Sequence, residues 1–212
     1  MKTAIKICGL RRQEDIDCVN EARPDFAGFV IHVAKSPRNV TADMLAQLSG
    51  RLSADIVPVG VFVNEPPETI AMFAGRGLIR AAQLHGQEDD NYIRRLRQMT
   101  DIFLIQAISV TGTDSVKMAR QSPADAVLFD CGSGGTGKTF DWHLLDGVRH
   151  LEKPFFIAGG IGVNNMEAAI RRFCPFAVDL SSSVETDGFK DKAKISEAVA
   201  LLRSINNEAK ER

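Results

Sequence analysis

The stretch PFFIAGGIGVNNMEAAIRRFCPFAVDLSSS, residues 154–183, contains one complete unit of the chain's architecture. Apolar PFFIA (154–158) predicts a strand, the glycines after it predict a turn, and apolar residues at helical spacing predict a helix over 164–173. A second apolar run, FAVDL (176–180), predicts the next strand. So short a segment leaves room only for a direct helical crossover, and the two strands are therefore predicted to pair in parallel.

The same pattern recurs along all 212 residues. The predicted strands are 3–8, 26–31, 56–62, 79–84, 102–108, 125–130, 154–158 and 176–180. The predicted helices are Gln13–Ala22, Ala42–Leu52, Pro67–Arg76, Asp89–Met99, Asp114–Gln121, Asp141–Leu151, Asn164–Phe173 and Lys192–Asn206. Eight strand-then-helix units without a linker favour an α/β fold with a single (β/α)₈ TIM barrel as one domain, residues 1–212. An open doubly wound sheet is the alternative, because periodicity does not distinguish an open sheet from a closed one.

The composition is that of a soluble globular protein, with 44% apolar residues and 26 basic against 27 acidic side chains. A net charge of −1 provides no field to attract nucleic acid or an anionic membrane, so neither is predicted as a partner. Without a signal peptide or a membrane-length apolar segment, the chain is predicted to be cytoplasmic. A monomer and a homodimer are both left open as its oligomeric state. The four cysteines lack metal-ligand spacing, and no metal is predicted.

In a barrel, the chemistry is expected where the strands run into the loops before their helices. Asp130 ends the sixth predicted strand, and a partly desolvated carboxyl there stays protonated near neutrality and serves as a general acid. Cys8 ends the first strand, where Lys6 or Arg38 would favour its thiolate as a base or nucleophile. The plain alternatives are a loop cap for Asp130 and a small buried apolar residue for Cys8.

Arg38, in KSPRN after the second strand, is a candidate for gripping a carboxylate, although a solvated loop arginine is the default interpretation. Asp179 ends the eighth strand and is a candidate acceptor for substrate hydroxyl or amine groups. His85, in QLHG, is interpreted as a turn or core histidine in preference to a ligand contact.

Two loops predict a phosphate site. Gly159 and Gly160 follow the seventh strand and offer backbone N–H groups close to a helix N-terminus, and Ser181 and Ser182 follow the eighth strand with hydroxyls added. Loops after the last two strands form the phosphate site common in barrel enzymes. Turn glycines and helix-capping serines are the alternative interpretation.

The segment GSGGTGKT, residues 132–139, fits the phosphate-cradling pattern of nucleotide hydrolases. It belongs to the sixth of eight units, and Asp141 is a better helix N-cap than the Lys-Thr pair, so a nucleotide cradle is disfavoured. A plain flexible connector is the second alternative. The preferred interpretation is a lid over an active site, in which Lys138 is available to contact substrate.

Several motifs together resemble, in order and over the whole chain, the phosphoribosylanthranilate isomerases, barrel enzymes of tryptophan biosynthesis. They are KICGL (6–10), KSPR (35–38), VGVFVN (59–64), QLHG (83–86), LFD (128–130), KTFDW (138–142), AGGI (158–161) and VDLSS (178–182). The resemblance implies an Amadori rearrangement of N-(5'-phosphoribosyl)anthranilate by an intramolecular aldose–ketose isomerase that uses no cofactor.

Residue roles are also implied by that resemblance. Asp130 would protonate the ribose ring oxygen, Cys8 as thiolate would remove the proton from the neighbouring ribose carbon, and Arg38 would hold the anthranilate carboxylate. Asp179 would orient the substrate. The phosphate would be held by Gly159, Gly160, Ser181 and Ser182.

Three departures from the family pattern occur at Asn39, at 32–34 and at Ser183. The first two are expected to alter the wall around the anthranilate, and the third to reshape the phosphate loop. A related isomerase of histidine biosynthesis is the rival enzyme, but it resembles two half-barrels with an aspartate where this chain has Cys8. A non-catalytic phosphate-ligand binding protein is the rival from another class, and it predicts loss of the acid or the base.

Overall fold

The computed structural model describes residues 2–132 and 142–209. The strands are β1 (Ala4–Cys8), β2 (Phe26–Ile31), β3 (Asn39–Val40), β4 (Val57–Phe62), β5 (Ala81–Leu84), β6 (Phe103–Ser109), β7 (Ala126–Asp130), β8 (Phe155–Ala158), β9 (Ala177–Leu180), β10 (Glu185–Thr186) and β11 (Phe189–Lys190). The α-helices are α1 (Gln13–Ala22), α2 (Ala42–Ser49), α3 (Pro67–Gly75), α4 (Asp90–Arg97), α5 (Asp114–Gln121), α6 (Met166–Phe173) and α7 (Lys192–Glu208).

The main sheet closes on itself. Its strand order is β1-β9-β8-β7-β6-β5-β4-β2-β3, and an additional pairing joins β1 to β2. All of these pairings are parallel, and the two-residue β3 adds to the end of β2 outside the ring. The predicted (β/α)₈ barrel is confirmed, and the alternative of an open doubly wound sheet is wrong.

The barrel interior is apolar through most of its depth and polar at one end. A buried cluster from six strands fills it, namely Val59, Ala81, Ile105, Ala126, Leu128, Phe156, Ala158 and Ala177, and Ala4 of β1 packs against them. Side chains alternate along a strand, so Lys6 and Cys8 face the same way as Ala4. The same alternation carries Asp130 beyond Leu128 and Asp179 beyond Ala177. The carboxyl ends of the strands therefore place ionisable groups inside the barrel mouth.

The helix predicted over 141–151 is wrong for the part that the structure describes. Two short 3₁₀ turns, Trp142–Leu145 and Val148–His150, occupy that region. Gly147 stands between them with φ 91°, a left-handed conformation that interrupts the helical hydrogen-bond ladder.

A hairpin that the sequence analysis did not predict follows the last barrel strand. Its strands β10 and β11 pair in an antiparallel manner, with Thr186 opposite Phe189. Asp187 and Gly188 connect them with φ 51° and 76°. Asp-Gly with two positive φ values is the signature of a tight hairpin turn, so the signal was present in the sequence.

None of the helices within the described ranges is long and apolar enough to cross a membrane.

Candidate functional site

A cavity of about 830 Å³ opens at the carboxyl ends of the barrel strands. It takes lining residues from β1, β5, β7, β8 and β9 and from the loops that follow β2, β8 and β9. The lining includes all eight residues that the sequence predicted for the site, which are Cys8, Arg38, Asp130, Gly159, Gly160, Asp179, Ser181 and Ser182. The sequence-predicted residues thus share one cavity.

Cys8 lies beside a buried ion pair at the bottom of this cavity. Lys6 Nζ lies 2.7 Å from Asp179 Oδ2, and Lys6 is fully buried. Gly28 is the register partner of Cys8, and a Cβ on it would lie 2.8 Å from Cys8 Sγ and 3.1 Å from Lys6 Cε. A glycine on β2 therefore makes the room in which the thiol and the ammonium group lie together.

The charges around Cys8 oppose one another. Burial raises the pKa of the Cys8 thiol, Lys6 and Lys190 lower it, Asp179 raises it, and the net shift is upward. The neighbouring cations therefore do not outweigh burial, contrary to the expectation from the sequence. Burial also disfavours the charge of Lys6, but Asp179 and Cys8 prevail and raise the pKa of Lys6.

Asp130 is held by two hydrogen bonds at the opposite wall. Its Oδ2 lies 3.3 Å from His85 Nε2, and its Oδ1 accepts the Gly132 backbone N–H at 3.2 Å. Burial raises the pKa of this carboxyl, but the His85 and Gly132 hydrogen bonds outweigh it and the net shift is downward. This downward shift is contrary to the expectation of a protonated carboxyl near neutrality.

Gly159 makes the approach of Asp130 possible. Its φ is 80°, and a Cβ there would collide with Gly132 N and lie 2.7 Å from Asp130 Oδ1. The neighbouring Gly160 has φ 75°, and a Cβ there would meet nothing within 4 Å. The two glycines thus differ. Gly159 lets the loop after β7 pack against its backbone because it has no Cβ, whereas Gly160 borders open space.

Arg38 is oriented by an acidic residue that the sequence analysis missed. Its Nε and Nη2 donate to Glu185 Oε1 and Oε2 at 2.8 and 2.6 Å, and these hydrogen bonds raise the pKa of Arg38. Lys190 Nζ donates to Glu185 Oε1 at 2.6 Å and to the Ser181 carbonyl at 3.0 Å. The remaining Arg38 nitrogen, Nη1, forms no hydrogen bond with the described residues, so it is available to a ligand.

The serine loop after β9 is tied to the end of β1. Ser181 Oγ donates to the Cys8 carbonyl at 3.1 Å, and Ser182–Val184 forms a 3₁₀ turn. Across from it, Asn165 links both sides of its own loop by accepting the Gly162 N–H and donating to the Gly160 carbonyl, each at 2.9 Å. Two loops with backbone N–H groups therefore line the cavity, and they meet where Gly162 approaches Ser183.

Comparison with known proteins identifies the family. The model of the N-(5'-phosphoribosyl)anthranilate (PRA) isomerase family matches residues 5–200. An N-(5'-phosphoribosyl)anthranilate isomerase from Endomicrobium trichonymphae is 42% identical over 205 residues, which cover 95% of this chain and 98% of the relative. This chain belongs to the N-(5'-phosphoribosyl)anthranilate isomerase family.

Solved structures of N-(5'-phosphoribosyl)anthranilate isomerases share the fold. A phosphoribosyl anthranilate isomerase from Thermotoga maritima has 34% identity and a TM-score of 0.84, with 95% of this chain and 99% of that chain covered. Another is in complex with reduced 1-(o-carboxyphenylamino)-1-deoxyribulose 5-phosphate, at 32% identity, a TM-score of 0.82 and the same coverage of 95% and 99%.

Family membership confirms the predicted enzyme class, an N-(5'-phosphoribosyl)anthranilate isomerase of tryptophan biosynthesis. The single-domain assignment, the cytoplasmic location and the choice between monomer and homodimer remain predictions, as does the absence of nucleic-acid partners. Lys138, the lid and most of GSGGTGKT (132–139) lie outside the described residues.

His85 of this N-(5'-phosphoribosyl)anthranilate isomerase lines the cavity, which the sequence did not predict. It was interpreted as a turn or core residue, but it lines the cavity with a side chain that is 33% exposed and contacts Asp130. The QLHG motif carried the signal, because its histidine comes directly after β5. Gln83, two residues earlier, also lines the cavity and was missed.

The departures at Asn39 and Ser183 differ in their placement. Asn39 lies in β3 and its Oδ1 accepts the Val33 backbone N–H at 2.7 Å, so it supports the loop whose Val33 lines the cavity. Ser183 lines the cavity directly, with its Cβ 3.1 Å from the position of a Cβ on Gly162. Asn39 thus supports the cavity wall without being part of the lining, whereas Ser183 is part of the lining and packs against the loop that contains Gly162.

Proposed function

We propose that this chain isomerises N-(5'-phosphoribosyl)anthranilate by an Amadori rearrangement in which Asp130 is the general acid and Cys8 is the general base. The observation that carries the proposal is the convergence of a carboxyl, a thiol and a partly free guanidinium in one cavity beside two anion-compatible loops. The substrate has a matching layout, with a sugar ring between a carboxylate and a phosphate.

In the first step, the Asp130 carboxyl gives its proton to the ribose ring oxygen. The bond between that oxygen and the anomeric carbon breaks, and the anthranilate nitrogen supplies the electron pair that forms a protonated Schiff base. Asp130 becomes a carboxylate, a form that its hydrogen bonds to His85 and Gly132 support.

In the second step, Cys8 as thiolate removes the proton from the neighbouring ribose carbon. The electron pair of that C–H bond forms the C=C bond of an enolamine and neutralises the Schiff-base nitrogen. Tautomerisation then gives the ketone, with no net gain or loss of protons. Lys6 lies beside the sulfur of Cys8 and stabilises the negative charge of its thiolate form.

The two ends of the substrate are anchored by separate groups. Arg38 offers Nη1 to the anthranilate carboxylate while Glu185 holds the other edge of its guanidinium. The backbone around Gly160 and Ser182 holds the phosphate, with Gly159 supporting the loop and Ser181 fixed to β1. Asp179 has a buried oxygen, Oδ1, without a partner among the described residues, and it accepts a hydrogen bond from a substrate hydroxyl or amine.

The opposite pKa shifts of Asp130 and Cys8 support an unusual resting form. With the pKa of Asp130 lowered and that of Cys8 raised, the majority form carries a carboxylate and a thiol. The reactive form has the same number of protons, with one moved from Cys8 to Asp130. Only a small fraction of the enzyme is then reactive at any moment, but that fraction pairs a strong acid with a strong base.

A fluorescence assay that follows the loss of phosphoribosylanthranilate tests the proposal on wild type, Cys8→Ser and Asp130→Asn. Each variant is expected to lose about 100-fold or more in kcat, as is usual when a general acid or base is removed. Cys18→Ser, on α1 and outside the cavity, is the matched control and keeps wild-type turnover. Near-normal turnover by Asp130→Asn would rule out its role as the acid.

A further inference from the structure

The QLHG motif forms a hydrogen-bonded chain that ends on the proposed acid. Gln83 is buried at the end of β5, and its Nε2 lies 2.7 Å from His85 Nδ1. His85 Nε2 lies 3.3 Å from Asp130 Oδ2. The backbone N–H of His85 donates to the Phe62 carbonyl at 2.8 Å, so the neighbouring strand fixes the start of this chain.

The amide of Gln83 determines where the imidazole carries its proton. In this orientation of the Gln83 amide the N–H group donates and His85 Nδ1 accepts, which requires Nδ1 to be without a proton. The single proton of the neutral ring is then on Nε2, which donates to the Asp130 carboxylate. Protonation of Nδ1 would put two N–H groups face to face, and this contact opposes formation of the imidazolium.

We propose that Gln83 keeps His85 neutral with its proton on Nε2, so that His85 positions Asp130 through a neutral hydrogen bond and not through an ion pair. The inference rests on the proposed function, because it requires Asp130 to be the acid. His85 and Gln83 are positioning residues that act on substrate through Asp130.

A neutral partner suits an acid that must regain a proton in every cycle. An imidazolium at this distance would stabilise the carboxylate far more strongly than a neutral N–H does, since the attraction between unit charges adds to the hydrogen bond. The carboxyl form of Asp130 would become rarer and the rate would fall. A neutral donor fixes the direction of Oδ2 without that penalty.

The charges facing this pair support the need for such control. Asp179 lines the same cavity as His85 and Asp130, and a carboxylate near an imidazole favours the protonated ring. Lys6 neutralises Asp179 from the other side, and the Cys131 thiol lies beside Asp130.

The polar character of Gln83 is otherwise costly. It is 2% exposed, and its Oε1 has no hydrogen-bond partner among the described residues. A buried polar atom without a partner destabilises a fold, so an apolar residue would pack better in a purely structural position. The contact with His85 accounts for the amide.

Long-range ¹H–¹⁵N NMR of histidine-labelled protein tests the tautomer directly. Wild type is expected to show neutral His85 with the proton on Nε2 at pH 7, and Gln83→Glu, whose carboxylate only accepts, is expected to show the imidazolium. A wild-type spectrum with the proton on Nδ1, or with both nitrogens protonated, would overturn the inference.

Kinetics then separate the proton control from a structural effect. Gln83→Glu is expected to lower kcat/KM roughly tenfold or more, since the imidazolium makes the Asp130 carboxyl rarer. His85→Gln places a neutral amide donor near Asp130 and is expected to stay within about fivefold of wild type, and in that background Gln83→Glu loses most of its effect. A defect of Gln83→Glu that persists undiminished in His85→Gln would show that burial of a charge, not an imidazolium, is responsible.

Two further variants keep the outcomes distinguishable. His150→Phe, an exposed histidine outside the cavity, is the control for histidine loss and is expected to match wild type. If Asp130→Asn keeps normal turnover, the proposed function fails, whatever the tautomer. If Asp130→Asn is inactive while Gln83→Glu matches wild type, the inference about Gln83 alone fails.

Discussion

Lys6 Nζ lies 2.7 Å from Asp179 Oδ2, and the two residues are direct neighbours on the paired strands β1 and β9. Their side chains are 0% and 7% exposed, so two opposite charges are buried together at the bottom of the cavity. Cys8 follows Lys6 by two residues on the same face of β1. The ion pair therefore links the folding of the barrel to the electrostatics of its proposed base.

Lys6→Met is expected to lower the free energy of unfolding by about 3–5 kcal/mol, because it leaves the Asp179 carboxylate buried without its partner. Urea denaturation followed by circular dichroism measures the change. Lys192→Met is the matched control, since Lys192 pairs with Glu21 where both side chains are 61% exposed. The prediction is contradicted if the two methionine variants unfold at the same urea concentration.

The dependence of kcat/KM on pH is expected to show a plateau across neutral pH. The reactive form needs a protonated Asp130 and an ionised Cys8, and the pKa of the carboxyl is lowered from 3.8 while that of the thiol is raised from 9.0. Between these two pKa values, a rise in pH increases the thiolate fraction of Cys8 by the same factor by which it decreases the protonated fraction of Asp130. The reactive fraction, which is the product of the two, therefore stays constant. At pH values below the pKa of Asp130 the reactive fraction decreases, because Asp130 is already protonated and the thiolate fraction still falls. At pH values above the pKa of Cys8 it decreases again, because Cys8 is already ionised and the protonated fraction of Asp130 still falls.

Steady-state rates across that range check the plateau. The substrate phosphate ionises near pH 6, and ³¹P titration of the free substrate identifies any inflection that belongs to it. A rate that rises steadily through neutrality as Cys8 ionises would instead mean that Asp130 keeps its proton, and would contradict a carboxylate and a thiol as the majority form.

The sequence predicted the barrel because its strands are apolar runs with regular helices between them. The β2 and α1 bounds match the prediction residue for residue, at Phe26–Ile31 and Gln13–Ala22. The two-residue strands β10 and β11 are too short for such a pattern, and only their Asp187-Gly188 turn marks them.

The sequence predicted which residues form the candidate site, but not their protonation states or their charged partners. Cys8, Asp130 and Asp179 were found because each ends a strand. Glu185 was missed because its role is to orient Arg38, which is 147 residues away in the chain. A pairing between such distant residues leaves no local signal in the sequence. Protonation states were misjudged for the same reason, since they depend on burial and on partners such as His85 that only the closed barrel brings together.

Gly159→Ala is expected to lower kcat by about 100-fold, because the new Cβ collides with Gly132 N and displaces the carboxyl of Asp130, the proposed acid. Gly77→Ala is the matched control for backbone strain, since Gly77 has φ 70° and open space around its missing Cβ. Both variants are expected to lose stability through the left-handed backbone, by about 1–2 kcal/mol. Equal activity in the two variants would contradict a specific role of Gly159 in admitting the Asp130 loop.

Arg38→Lys is expected to raise KM for phosphoribosylanthranilate by roughly tenfold to 100-fold with a smaller change in kcat. A lysine cannot both keep the two hydrogen bonds to Glu185 and donate to the substrate carboxylate, and a hydrogen bond to a charged group contributes about 1.5–3 kcal/mol. The measurement is repeated with a substrate analogue in which aniline replaces anthranilate, so that the carboxylate is absent. If Arg38 holds that carboxylate, wild type and Arg38→Lys treat the analogue alike; if the variant is as impaired with the analogue as with the substrate, Arg38 acts by holding Glu185 and the hairpin.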